Sequence, residues 1–293
     1  MLICLSPAKT LTLDAAAASA AGAAPRFAAA ADALAAALGK LPRAKLATVL
    51  DVSPALAALN ADRFAAWGPA PSNPRYAAGW AYDGPAMKAL ALRSQPPSIV
   101  SSADARVRII SGLYGLLKPT DAIQPYRLCF SCKLAGAGGV DSLYAHWGDR
   151  IAKALDEELD AARCEGKRRV VVNAASAEYW KAVAGRLRPD TRVVTCVFPG
   201  PAVHAKAARG AVARFVAEGG VDEPERLKAF AGLAGEWAFD AGASDGDTFV
   251  FKRGAGAARA AKAAAGGKRA PAAAVKKEPA AAKPAPKRAR AAR

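Results

Sequence analysis

The chain has 293 residues, a formal net charge of +17 and a sequence pI ≈ 9.9. This length accommodates one large domain or two ordinary ones, and the strong positive charge favours polyanionic partners. No apolar segment reaches the length that spans a bilayer, and the N-terminus lacks the basic region of a secretory signal. Five scattered cysteines in a chain without such a signal indicate a reducing compartment, so we expect a cytoplasmic protein without a membrane partner.

The positive charge is unevenly distributed along the chain. Residues 254–293 contain eleven Lys or Arg and one acidic residue, whereas residues 1–253 contain 31 basic and 24 acidic residues. The last forty residues are nearly all Ala, Lys, Arg, Pro and Gly, a composition that cannot bury enough apolar surface to fold. We therefore expect a single globular domain over residues 1–253 and a disordered basic tail over residues 254–293.

The predicted elements of the domain alternate between strands and helices. The strand predictions, from apolar runs bounded by turn residues, are residues 2–5, 79–84, 107–110, 170–173, 192–198 and 249–253. The helix predictions, from apolar periodicity and capping signals, are residues 26–40, a helix beginning at Ser53-Pro54, a helix after Ser176, and residues 204–216. This order predicts an α/β or α+β fold with one mixed sheet flanked by helices.

Polar residues follow two of the predicted strands. Ser6 and Lys9 come after the first strand, and Asn173, Ser176 and Glu178 come after the strand at 170–173. Open α/β sheets place ligand-binding groups at these strand ends, although a lysine there is often simply solvated and Asn173 is also a natural helix cap. Further along, Lys206 and Arg209 are three residues apart and share one face of the predicted helix.

The most constrained stretch of the sequence is residues 106–127. Gly112 and Gly115 bracket a two-residue turn, which either closes a tight strand-to-helix connection or forms a hairpin whose backbone N–H groups bind a phosphate. In the second interpretation the stretch resembles a helix-hairpin-helix of DNA-binding proteins. Two prolines stiffen the residues after the turn, which include Lys118, Asp121, Gln124, Tyr126 and Arg127.

Several kinds of chemistry lack support in the sequence. Phosphate-binding, nucleophile-elbow and zinc-protease motifs are absent from it, and its two histidines have no obvious partners. Cys129 and Cys132 form a C-x-x-C pair, which suits a redox pair or half a zinc site, but no second pair completes a metal set. We therefore expect no cofactor and no metal, and we consider direct iron binding the weakest interpretation.

Six motifs in this order resemble the YaaA peroxide-stress protein family of bacteria. They are SPAKTL, SGLYGLLKPTDAIQPYRL, LYAHWGDRI, VVNAASAEYWKAV, HAKAARGAVARF and a closing FVFKR, which together extend from the N-terminus to Arg253. The resemblance implies a cytoplasmic protein of the oxidative stress response that limits free iron and Fenton damage. It also implies a helix-hairpin-helix-like element, a positively charged cleft and DNA binding. The tail lies outside the resemblance and is similar to the basic tails of histone-like proteins.

These observations lead to one hypothesis and one alternative. We expect a monomer that binds DNA by backbone and shape through a basic cleft; the alternative is an enzyme acting on a small anionic or nucleotide-like substrate there. The residues expected to contact DNA or another anion are Lys9, Gly112, Gly115, Lys118, Arg127, Lys206 and Arg209. The residues expected to support the cleft are Ser6, Asp121, Gln124, Tyr126, Asn173, Ser176 and Glu178.

Overall fold

A computed structural model describes residues 1–68, 73–134, 141–163 and 168–254. The basic tail, for which we expect disorder, lies outside the described residues from residue 255 onward. The strands of the described residues are β1 (Leu2–Leu5), β2 (Tyr76–Ala77), β3 (Val107–Ser111), β4 (Gly115–Leu117), β5 (Ala122–Ile123), β6 (Val170–Asn173), β7 (Arg192–Val197), β8 (Trp237–Phe239) and β9 (Thr248–Arg253).

Helices connect most of these strands. They are α1 (Ala15–Ser19), α2 (Ala28–Gly39), α3 (Arg43–Leu50), α4 (Pro54–Ala65), α5 (Ala78–Ala81), α6 (Pro85–Leu90), α7 (Pro97–Arg106), α8 (Leu143–Trp147), α9 (Arg150–Arg163), α10 (Ala177–Trp180) and α11 (Ala202–Gly219). Two short 3-10 helices lie at Leu92–Ser94 and Pro224–Ala229. Within the described ranges, none of these helices is long and apolar enough to cross a membrane.

One seven-stranded mixed sheet organises the fold, in the order β4-β3-β1-β6-β7-β9-β8. The five inner strands are parallel, and the edge strands β4 and β8 are antiparallel to their neighbours. β1 and β6 are fully buried, as their unbroken apolar runs predict for central parallel strands. The expected mixed sheet flanked by helices is confirmed, and β2 and β5 form a separate antiparallel pair.

Local sequence signals explain where several helices begin. Ser53 accepts a hydrogen bond from the Leu56 N–H at 3.4 Å and Pro54 occupies the first turn, so α4 begins where the capping signal predicts. The prediction of a strand at residues 79–84 is wrong, because α5 occupies the first half of this segment. The N–H groups of Ala78 and Gly79 donate to carbonyl oxygens of the segment that follows β4, which turns the chain out of the short β2 strand.

The glycine turn at residues 112–115 differs from the expected helix-hairpin-helix. It joins β3 to the antiparallel β4 and is therefore a strand–turn–strand hairpin. Trp147 covers it: the indole N–H donates to the Gly112 carbonyl at 2.9 Å, and a Cβ on Gly115 would lie 2.6 Å from the indole ring. Gly115 also has φ +69°, a conformation that glycine adopts without strain. The glycines therefore close a tight, buried connection, but the expected strand-to-helix connection is wrong, because a strand follows the turn.

Candidate functional site

A pocket of about 550 Å³ lies at the carboxyl edge of the sheet, beside β1 and β6. Four segments line it: the loop after β1, the turn that begins α6, the segment after β6, and one face of α11. The predicted site residues among its lining are Ser6, Lys9, Ser176, Glu178, Lys206 and Arg209. The fold thus brings together six residues that are far apart in the chain and that the sequence predicts for the site.

The parallel pairing of β1 with β6 brings the first two of these segments together. Cys4 is in register with Asn173, so both strands end at the same edge of the sheet. Beyond their ends the Ser176 N–H donates to the Ser6 Oγ at 2.9 Å, and the two hydroxyl oxygens are 3.2 Å apart. These bonds tie the two loops to each other and hold the floor of the pocket in a fixed shape.

A close helix contact places the remaining two cations at the pocket. Gly210 of α11 lies against the backbone of Ala86 in α6, so that a Cβ at position 210 would be 2.6 Å from the Ala86 carbonyl carbon. Gly84 makes a similar approach to Ala8. With α11 held this close to α6, Lys206 and Arg209 on one face of the helix line the pocket.

The cations at this edge are not neutralised by neighbouring acids. Arg127 lines a small cavity that shares lining residues with the pocket, and its Nη1 lies 3.5 Å from the carbonyl oxygen of Lys9. Across the described part of the chain, none of Lys9, Arg127, Lys206 and Arg209 forms an ion pair. The buried Nε atoms of Arg127 and Arg209 also lack a hydrogen-bond partner among the described residues.

Burial and the two nearby acids refine this electrostatic arrangement. Burial lowers the pKa of the half-buried Arg209, because desolvation disfavours its charged guanidinium. Asp83 is engaged by Lys88, with 2.9 Å between carboxylate and ammonium, whereas Glu178 accepts a hydrogen bond from the Ser131 N–H at 3.0 Å and forms no ion pair among the described residues. The lining of the pocket therefore has three cations without an ion pair against one such acid.

Tyr126 and Asn173 are near the pocket but hold structure rather than face its interior. The Tyr126 hydroxyl is 2.6 Å from both the Tyr82 hydroxyl and the Ser111 Oγ, in a buried network. The Asn173 Oδ1 accepts from the Ala175 N–H at 3.0 Å, which shapes the turn into α10. The capping role expected of Asn173 is therefore wrong, because Ser176 is the N-cap residue of α10.

Five other predicted site residues, Asp121 among them, lie away from the pocket. Gly112 and Gly115 are buried beneath Trp147, and Gln124 is buried, its N–H bonded to the Tyr114 hydroxyl at 2.8 Å. Lys118 lines a different cavity, of about 780 Å³, together with Met1 and Leu2 at the opposite edge of the sheet. The grouping of Lys118 with Lys9 in one cleft is therefore wrong, since the sheet separates them.

The larger cavity at the opposite edge is the weaker candidate, despite its size. Two of its cations have acidic partners: Arg108 pairs with Glu158 at 2.5 Å and Arg106 with Asp222 at 3.5 Å. Lys118 forms no ion pair among the described residues, but the Asp121 carboxylate, which accepts from the Lys118 N–H at 2.8 Å, lines the same cavity. The lining carries four acidic side chains against four cationic ones, whereas that of the carboxyl-edge pocket carries two against three. An excess of positive charge therefore distinguishes the carboxyl-edge pocket.

The fold and pocket define the class: an α/β protein with a cation-lined pocket at the carboxyl edge of a mostly parallel sheet. The family model described as "Peroxide stress protein YaaA" matches residues 1–242. UPF0246 proteins of Burkholderia mallei and Burkholderia pseudomallei are 44% identical to this chain over 267 residues, and one of Burkholderia thailandensis is 43% identical. Each of these alignments covers 88% of this chain and 100% of the relative. The chain therefore belongs to the YaaA peroxide stress protein family.

Proposed function

We propose that this protein acts in the peroxide stress response by binding DNA through the carboxyl-edge pocket, largely without regard to base sequence. The observation that carries the proposal is the convergence of Lys9, Arg127, Lys206 and Arg209 without an ion pair among the described residues. Unpaired cations favour phosphate, and the planar guanidinium group of an arginine suits phosphate oxygens.

The expected lack of sequence specificity follows from the kind of contact. Cations that bind phosphates position a duplex but carry no information on its bases. The pocket is too small to enclose a duplex, so the backbone would lie across its rim with one phosphate entering. The chain's charge of +17 would add long-range attraction that is independent of sequence.

The physiological setting that we propose is the cytoplasm, with the protein acting as a monomer that limits free iron and Fenton damage. Among the described residues there is no group of three or more His, Cys, Asp or Glu that could hold a metal ion. We therefore propose that any effect on iron operates through the bound nucleic acid and not through a metal site of the described residues.

A second candidate function is favoured by the size of the pocket. Its volume of about 550 Å³ is in the range of small-ligand sites, typically about 300–1,000 Å³. The hydroxyls of Ser6 and Ser176 and the carboxylate of Glu178 would orient a small anionic or nucleotide-like substrate of an enzyme. Both candidates use the same cations, so they differ in the ligand and not in the location.

A competition experiment distinguishes the two candidates. Binding of a fluorescently labelled duplex to the full chain is measured by anisotropy, alone and with increasing inorganic pyrophosphate or a nucleoside triphosphate. The DNA proposal predicts binding that falls steeply with salt and is displaced by small anions only at high concentration. Tight binding of the nucleotide, with no duplex binding beyond that of the Lys206→Gln/Arg209→Gln variant, would contradict it and favour the enzyme.

A further inference from the structure

The loop after Arg127 brings the two C-x-x-C cysteines into direct contact. The Cys132 N–H donates to the Cys129 carbonyl at 3.1 Å, and the Cys129 N–H donates to the Cys132 Sγ at 3.3 Å. Because a disulfide needs a specific short separation between two cysteines, a turn that already holds the Cys132 sulfur against the Cys129 backbone is suited to form one.

Cys129 faces a small cavity. The cavity measures about 10 Å³, and Cys129 lines it together with Lys9, Arg127 and Tyr179. This volume is near the minimum for one water molecule, so only the smallest oxidants would reach the sulfur. Lys9 and Tyr179 also line the 550 Å³ pocket, so the two cavities are adjacent, and Cys129 itself is 6% exposed.

The surrounding charges make the two sulfurs chemically different. The hydrogen bond from Cys132 lowers the pKa of Cys129, and the positive charges of Lys9 and Arg127 lower it further, against the opposing effects of burial and Glu178. The same hydrogen bond and burial raise the pKa of Cys132. At neutral pH Cys129 is therefore the thiolate and Cys132 its thiol partner.

We propose that Cys129 and Cys132 are a redox pair that hydrogen peroxide oxidises to a disulfide, with Cys129 reacting first. The pair spacing alone left a redox role and half a zinc site open; the contact of the Cys132 sulfur with Cys129 and the cation-lined cavity favour the redox role. This inference is independent of DNA binding, since it needs no ligand in the large pocket.

The proposed chemistry is a two-electron oxidation in two steps. The Cys129 thiolate attacks one peroxide oxygen, the O–O bond breaks, and the departing hydroxide takes a proton to become water, which leaves a sulfenic acid. The Cys132 sulfur then attacks the Cys129 sulfur, the S–O bond breaks, and a second water forms from the leaving hydroxide and the Cys132 proton. Two thiols and one hydrogen peroxide thus give one disulfide and two waters.

Two other cysteines of the same chain are internal controls. Cys4 lies in β1 and Cys196 in β7, and burial raises the pKa of each thiol to about 12. Buried thiols that remain protonated react slowly with peroxide, because the thiolate is the nucleophile. Both should therefore stay reduced under conditions that oxidise the pair.

The test uses the reduced full chain carrying Cys164→Ser, which removes the one cysteine outside the described residues. After brief exposure to hydrogen peroxide, free thiols are alkylated and peptides are mapped by mass spectrometry. We expect that two thiols are lost, that a disulfide forms between Cys129 and Cys132, and that Cys4 and Cys196 stay reduced. In the Cys132→Ser variant a 1,3-diketone probe should instead capture a sulfenic acid at Cys129, whereas Cys129→Ser should give neither product.

The Lys9→Gln variant tests the role of the cation-lined cavity. Its oxidation at Cys129 should be about two- to fivefold slower, because less of the sulfur is thiolate. Thermal melting of each variant checks that it is folded. Oxidation of Cys4 or Cys196 as fast as Cys129 in folded protein, or absence of the disulfide after peroxide, would overturn the proposal.

Discussion

Replacing Gly210 by alanine tests whether α11 is held in place by its contact with α6. In an isolated helix this change would stabilise the helix by about 1 kcal/mol, because alanine is the better helix former. Here the new Cβ would overlap the Ala86 carbonyl oxygen, its nearest neighbour, and would lie 2.6 Å from the Ala86 carbonyl carbon and 2.8 Å from its Cα. Carbon atoms in contact are normally about 3.5–4.0 Å apart, so the two helices would have to separate by at least about 1 Å.

We expect Gly210→Ala to lower the free energy of unfolding by a net ~1–2 kcal/mol. Overpacking costs ~1–3 kcal/mol, and the upper part of this range, ~2–3 kcal/mol, applies here because backbone atoms cannot move aside as a flexible side chain can. Subtracting the gain of about 1 kcal/mol in helix propensity leaves the net value. The shift of α11 would also carry Lys206 and Arg209 away from the pocket, so affinity for an anion should fall with stability.

Urea unfolding of the wild type and two variants measures this effect. The matched control is Gly219→Ala at the end of the same helix, where the nearest atom to a new Cβ is a Val221 methyl at 3.2 Å. That methyl can rotate away, so the control should unfold at the wild-type midpoint or slightly above it. If Gly210→Ala is as stable as Gly219→Ala, the close contact with α6 does not fix the position of α11.

Two further predictions concern pH and the tail. Burial raises the pKa of Asp121 to about 6, against about 4 when unfolded, so the folded protein binds more protons between these values and stability falls as pH rises through them. In urea unfolding, the free energy of unfolding of Asp121→Asn should therefore exceed that of the wild type by up to ~3 kcal/mol at pH 8 and equal it near pH 4. An equal difference at both pH values would contradict this. Ending the chain at Arg253 removes eleven Lys or Arg and one acid, and should lower both duplex affinity and its salt dependence in anisotropy titrations. If the duplex affinity and its salt dependence are both unchanged, the tail does not contribute to DNA binding.

The sheet was predictable because its central strands are short unbroken apolar runs. β1, β6 and β9 are such runs, and the cap at Ser53 marks the start of α4 from a local hydrogen bond that depends on two adjacent residues. The segment at residues 79–84 was not predictable in the same way. Its aromatic and glycine content suits a strand, but hydrogen bonds to a distant segment turn part of it into α5.

Half of the candidate site followed from topology and half required three-dimensional packing. Parallel strands end at one edge, so Ser6 and Ser176 were expected together. Lys118 was grouped with Lys9 because no feature of the local sequence indicates that β4 returns the chain to the opposite edge of the sheet. The reactive position of Cys129 was missed because it depends on a cavity formed with Lys9, which is distant in sequence.

The most direct test of the central claim is the salt dependence of duplex binding by full-length protein in which the pocket's cations are neutralised. Each phosphate contact contributes about 0.9 to the slope of log affinity against log salt, so Lys9→Gln, Arg127→Gln, Lys206→Gln and Arg209→Gln together should reduce the slope by up to about 3.6. The matched control is Lys118→Gln at the opposite edge, which should leave the slope unchanged. A fourfold variant that is folded by thermal melting and keeps the wild-type slope would contradict the claim that this pocket binds DNA.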